Sequence, residues 1–415
     1  METARIVAAE SWSRSLNVET VRRAIALDPA NPDFHYLLGK LLLLDGKPGD
    51  AASAADEFRT AITMNSYSAV YWSGLAKACY AAADQSCADQ SFHRAQKLAP
   101  RSPQFAWEAA VNDVVSNQPK AALEQLKTFL RMQPDGWGQA FQLVMRGFND
   151  PDIVWHSLLA DSNNVAAKMD FLNFLTANNR FDVAASYWTQ LSEADTGVPM
   201  ASATPYLERL LGSGHYEEAA KVWSYLQAQD EVQPATAAGR NLVFNGGFEQ
   251  SPLNAGFDWR SVDQPYMSLD FADGSAHTGT HALRADFTVP QNAEYEIAYQ
   301  WVPVVPNQTY ELSAYARSEG ITSDSGPRLR ALDPQCAACL NAATEGTTGT
   351  TDWHKTATEF TTGPNTHIVR LSIWRPQGRV YPMEIGGQVW LDDVSLYVVP
   401  SATSRERASR HGNTK

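Results

Sequence analysis

Two groups of residues in this chain carry side chains that could do chemistry. The first is Glu249, in "NLVFNGGFEQ" at residues 241–250, where an alternating apolar run meets two glycines, a Phe and a carboxylate. That carboxylate could be a catalytic acid, a metal ligand or a strand end. The second is the cysteines, which fall as two close pairs, Cys79 with Cys87 and Cys336 with Cys339. Even, locally paired cysteines point to structural disulfides and an oxidising compartment, although four allow three connectivities. The C-x-x-C at 336–339 could also be a redox or zinc half-site. Its loop, "DPQCAACLNAATEGTTGT", has no strand-to-helix transition after it, and no second C-x-x-C exists to complete a zinc site, so structural bonds or inert thiols are expected. No G-x-S-x-G, H-E-x-x-H, P-loop or G-x-G-x-x-G motif occurs. The chain is therefore expected not to be an enzyme.

These residues sit in a chain of 415 residues with a net charge of -13. That length suits two or three domains, each with a sizeable core. The acidic balance argues against nucleic acid, whose phosphate backbone demands a basic face. No window reaches the roughly 18 apolar residues of a membrane helix, "YLLGKLLLL" being short and broken by Lys40. The first residues lack the charged and apolar regions of a signal peptide, which read literally keeps the chain in the cytoplasm.

The first half repeats. "AIALDPANPDFHYLLG", "AITMNSYSAVYWSGLA", "AQKLAPRSPQFAWEAA" and "FLRMQPDGWGQAFQLV" begin at residues 24, 61, 95 and 129, in steps of 37, 34 and 34. The period, and a proline-stopped helix followed by an aromatic-containing one, resembles the tetratricopeptide repeat. "RFDVAASYW" from Arg180 and "HYEEAAKVW" from His215 carry the array on to about Gln229, with "FNDPDIVWHSLLADSNN" as an irregular pair between. The resemblance implies a superhelix whose concave surface binds a peptide or protein. Gly39, Gly74, Ala78 and Ala95 read as close-packing positions, and Cys79 and Cys87 stand where a bond would cross a helical hairpin.

At "QPATAAGR", residues 233–240, the pattern changes. From Asn241 onward short β-rich runs such as "YEIAYQWVPVV", "TYELSAYAR", "HIVRLSIWR" and "QVWLDDVSLYVV" alternate with Gly, Pro, Asn and Asp, which predicts an antiparallel β-sandwich of jelly-roll size. The expected domains are a helical repeat domain at 1–232, a linker at 233–240, a sandwich at 241–400 and a disordered tail at 401–415.

"NLVFNGGFEQ", "DGSAHTGTHALRADF", "VPVVPNQTYELSAYARSEG", "TDWHKTATEFTT" and "VWLDDVSLYVV", in that order, resemble the carbohydrate-binding modules of families 4, 9 and 22, a galactose-binding-like jelly roll. The resemblance spans essentially the whole second half. It implies one structural calcium joining the two chain ends, held by Glu249 and Asp392 through side chains and by backbone oxygens at Gly247, His277 and Gly279, with Asp393 and Asp273 nearby. The alternative for the same residues is a metal-free hydrogen-bonded staple. It also places Glu249 beside a chain end with no second acid across a cleft, which a glycosidase needs at about 5–10 Å.

Side chains two apart on a strand share a face. In "TYELSAYAR" the apolar set is Tyr310, Leu312, Ala314 and Ala316, leaving Tyr315 and Arg317 outward; in "HIVRLSIWR" Arg370 and Trp374 face away from the core. Tyr295, Ile297, Tyr299 and Trp301 are expected to share one side. A sugar site needs an aromatic platform for the C–H face of a pyranose and polar groups for its hydroxyls. The expected platform is Tyr315, Arg317, Arg370 and Trp374, with Tyr299 and Trp301 beside it, on the concave sheet where the resembled family binds glycans. The functional expectation is a non-enzymatic adaptor: helical repeats for a protein partner and a jelly roll for polysaccharide, in a bacterial cell envelope or exopolysaccharide process and so periplasmic, with the cytoplasm as alternative. Rival readings are a pure protein scaffold whose sandwich binds no sugar, and an accessory part of a glycan-processing complex.

Overall fold

The computed structural model describes residues 17–160, 163–194, 197–229, 241–262 and 264–400. The linker expected at 233–240 and the tail expected at 401–415 lie outside the described residues. The chain divides into two compact units, Met1–Asn178 and Asn179–Lys415.

The first unit is built of antiparallel helix pairs. Its helices are α1 (Val18–Leu27), α2 (Pro32–Asp45), α3 (Asp50–Met64), α4 (Ala69–Ala81), α5 (Gln85–Leu98), α6 (Pro103–Val115), α7 (Pro119–Met132), α8 (Trp137–Phe148), the short α9 (Pro151–Ile153) and α10 (Val165–Ala177). Prolines open α2, α6 and α7 at the one position where a missing N–H costs nothing. The pair-opening helices α2, α4, α6 and α8 start at 32, 69, 103 and 137, repeating the steps of the sequence motifs. The irregular segment departs from the pattern: α9 runs into a π-helical turn at Val154–Leu158, and no full second helix forms.

Close approach explains the glycines. A Cβ on Gly39 would come within 2.9 Å of the Phe58 ring and one on Gly74 within 2.5 Å, so the fully buried Phe58 of α3 is clasped between α2 and α4. A disulfide joins Cys79 at the end of α4 to Cys87 at the start of α5.

The second unit opens with α11 (Phe181–Glu193), α12 (Met200–Gly212) and α13 (Tyr216–Ala228) and continues as two five-stranded antiparallel sheets. One sheet orders β1 (Arg260–Ser261), β4 (Tyr295–Pro303), β9 (Ile368–Arg375), β6 (Arg328–Leu332) and β7 (Asn341–Ala343). The other orders β2 (Met267–Asp273), β3 (Ala282–Gln291), β10 (Ile385–Val398), β5 (Thr309–Ile321) and β8 (Gly349–Thr361). Between them lies one core, in which Leu283, Leu312, Val389 and Leu391 meet Ile297, Leu329, Leu371 and Ile373 around the fully buried Trp259. At one end the buried guanidinium of Arg375 donates to Ser325 O, Ser323 Oγ, Met383 O and Asn292 Oδ1, tying three loops together. The Cys336–Cys339 disulfide closes the β6–β7 hairpin loop.

The sandwich does not stop at its own strands. Glu208 of α12 forms a two-pronged salt bridge with Arg260 of β1, both N–O distances 2.8 Å, and accepts from Gly256 N at 2.7 Å. Trp223 of α13 packs 5.4 Å from Phe244 and 5.8 Å from Phe257, lying where any Cβ on Gly256 would have to go. The compact unit therefore begins about fifty residues before the linker expected from composition.

Candidate functional site

Residues 241–250 stitch the sandwich shut. Leu242 N donates to Leu396 O at 3.1 Å and Val394 N to Gly246 O at 2.8 Å, so the segment pairs along the end of β10. The amide of Asn241 accepts from Leu396 N and Val243 N and donates to Val394 O. From the other sheet, the buried Gln300 reads Phe244 through both its N–H and its C=O, each at 3.0 Å.

Glu249 faces the turn before β3. Its Oε1 accepts from Thr280 N at 2.8 Å and His281 N at 3.2 Å, and its Oε2 from Thr280 Oγ1 at 2.6 Å. The Thr280 hydroxyl, more than any other contact, holds this carboxyl below the usual range. Gly279, at φ +67°, has no room for a Cβ because the Glu249 carboxylate stands there. Asp392 is fully buried, its Oδ2 accepting from His277 N at 2.8 Å and Thr278 N at 3.0 Å and its Oδ1 from Asp393 N at 2.7 Å. Burial pushes its carboxyl up, while the amides pull the other way. Asp393, at φ 49°, holds the His277 ring and the Thr278 hydroxyl, each at 2.6 Å.

Glu249, Asp392, Gly247, His277 and Gly279, the residues that the resemblance gives to a calcium, come together at this seam, Glu249 against the turn at Gly279–His281 and Asp392 against His277 and Thr278. Calcium is held by oxygen lone pairs; here each of the two carboxylates accepts three N–H or O–H hydrogen bonds. Among the described residues no group of three or more His, Cys, Asp or Glu side chains could hold a metal ion. These contacts tie the first segment and β10 to the turn before β3.

The six residues expected to form one sugar platform lie on two different sheets. Tyr315 and Arg317 belong to β5, where they pair in register with Asp392 and Trp390 of β10. Tyr315 stacks on His277 with ring centres 3.7 Å apart, and the Arg317 guanidinium sits 4.8 Å from the Trp390 ring. Tyr299, Trp301, Arg370 and Trp374 belong to β4 and β9 of the other sheet. Strand alternation separates inward from outward, yet it carries no information about which sheet a strand joins.

A second difference is local. A β-bulge between Glu296 and Ala298 breaks the two-residue period of β4. Tyr295, Ile297, Ala298, Gln300 and Val302 are buried, whereas Glu296, Tyr299 and Trp301 are not.

The outer face of β4–β9–β6 thus carries a continuous row. The Arg370 guanidinium lies 3.9 Å from the Tyr299 ring centre and 5.6 Å from that of Trp301, and pairs with Glu296. Arg330 lies 4.6 Å from the Trp374 ring and donates to Asn341. The Trp374 indole N–H donates to Glu294 at 2.6 Å. Burial raises the Glu296 carboxyl, against the pull of Arg370 and Arg330. Glu294, Glu296 and Arg330 were not singled out from sequence; the outward parity of Arg330 in "RLRAL" was legible, but its neighbours come only from strand pairing.

Residues 240–379 match the model of a family described as a carbohydrate binding domain. No curated protein matches the chain. The chain resembles a Thermobaculum terrenum O-GlcNAc transferase mutant at 22% identity and a TM-score of 0.28, covering 31% of this chain and 26% of that one, about a quarter of that protein's length. It resembles TmCBM61, solved in complex with beta-1,4-galactotriose, at 17% identity and a TM-score of 0.28 over 39% of this chain and 99% of that one. It also resembles YrrB, a TPR protein with an unusual peptide-binding site, at 16% identity and a TM-score of 0.26 over 51% and 93% of the two chains. A helical tetratricopeptide-like region followed by a carbohydrate-binding-module sandwich describes the architecture.

Proposed function

We propose that the chain is a non-enzymatic adaptor whose sandwich binds polysaccharide across the outer face of β4–β9–β6 while its helical repeats hold a protein partner. The row of Tyr299, Trp301 and Trp374 with Arg330, Arg370 and Glu296 carries this reading, because it sets aromatic rings beside hydrogen-bonding groups within the matched carbohydrate-binding region. The two disulfides support an oxidising setting such as a bacterial envelope, in keeping with a role in exopolysaccharide handling. The charge of -13 argues against nucleic acid as the partner.

A glycan array probed with the full chain tests the reading. Trp374→Ala with Tyr299→Ala should abolish retention, whereas Tyr315→Ala, on the other sheet, should leave it intact. Binding lost with Tyr315 and kept without Trp374 would move the site to the other face, and hydrolysis of a retained glycan would overturn the non-enzymatic part.

One observation favours the rival scaffold reading: Tyr299, Trp301 and Trp374 already meet guanidinium groups within the protein. On that reading the array shows no retained glycan at all.

A further inference from the structure

The aromatic row on β4 continues past the edge of its sheet. Trp301 stands with Tyr299 at 6.0 Å within the row and Tyr216 of α13 at 5.8 Å beyond it. Past Trp301 opens a cavity of about 420 Å³, inside the roughly 300–1,000 Å³ of small-molecule pockets. Its walls come from both sides: Trp223, Ser224 and Gln227 from α13, and Phe244, Phe257 and Trp301 from the sandwich.

The cavity is rigidly framed. The Glu208–Arg260 salt bridge fixes the preceding helix α12 to β1, and Trp223 is wedged against Phe244 and Phe257, so a ligand would meet walls already in place. Its chemistry is also selective. Among the described residues no charged side chain lines it and none pairs with the half-buried Gln227 amide, which offers them two N–H donors and a carbonyl. Aromatic walls with one free amide suit an uncharged pyranose, whose C–H face packs on rings while its hydroxyls need a partner.

We propose that α13 completes the glycan site, the cavity receiving a neutral sugar unit of a chain that lies along the row and runs past Trp301. The proposal rests on the carbohydrate reading above and adds that the last helical pair belongs to the sugar-binding surface.

Affinity electrophoresis of the full chain through gels containing soluble β-1,4-glucan, xylan, mannan or galactan tests this. With the gel glycan that retards the parent, Gln227→Ala should weaken binding about three- to tenfold, the cost of one or two hydrogen bonds, with an unchanged melting temperature. Trp374→Ala should weaken the same glycan. Parent-like binding by Gln227→Ala, beside weakened binding by Trp374→Ala, overturns the role of α13 and leaves the carbohydrate reading standing. If no gel retards the parent, both fall.

Discussion

Glu249 takes two amides and one hydroxyl on a carboxylate whose side chain is still 43% exposed, so its ionisation is coupled to folding. Its folded-state pKa lies below the ordinary 4.5, chiefly through the Thr280 hydroxyl. The stabilisation is therefore present above the unfolded-state value and lost as pH falls through the folded one. Glu249→Ala should cost the sandwich about 1 kcal/mol at pH 7, discounted for exposure. Thermal melts across the acid range should show the gap to the parent closing below that 4.5. Calcium or a chelator should shift neither melting curve; a calcium-dependent rise in the parent would return the metal to the seam. From sequence, position in the motif order was enough to place Glu249 at the seam. Which charge it faces depends on backbone N–H directions in a turn thirty residues away, and no residue type encodes that. Tyr299 and Trp301 failed differently: one extra residue at the bulge reversed their parity relative to Tyr295 and Ile297.

Among elements, the helix pairs were legible because the same physical cues recur, a proline after the preceding helix at α2, α6 and α8, though not at α4, and small residues where the next must approach. Gly74 illustrates the second cue. Gly74→Ala would set its Cβ 2.5 Å from the Phe58 ring, and overpacking of this kind costs roughly 1–3 kcal/mol. Urea unfolding followed by helical circular dichroism should show that loss. A variant as stable as the parent would mean that Phe58 can move, and that Gly39 and Gly74 are not packing positions. The long strands β4, β5, β9 and β10 were legible by alternation and β-branched content. The two-residue β1 and three-residue β7 were not, since strands that short carry no period.

At the scale of the molecule, the contacts of the last helices run across the boundary that composition suggests. The stretch at 233–240 reads as a linker because it lacks an apolar face; Trp223 and Glu208, before it, meet Phe244 and Arg260, after it. A fragment of residues 241–400 should therefore be less stable than one of 179–400, by up to about 5 kcal/mol for a tryptophan's worth of apolar cover. Scanning calorimetry of the two fragments decides; equal melting temperatures would show that the helices are passengers. The pairing of Leu242 with Leu396 and of Gly246 with Val394 has a further, mechanical consequence. The sandwich's first segment and last strand run antiparallel with their outer ends together, so a pull applied through both ends opens those bonds one after another, like a zipper, instead of shearing them at once. Such a load would peel the seam at Asn241 before it strained the core.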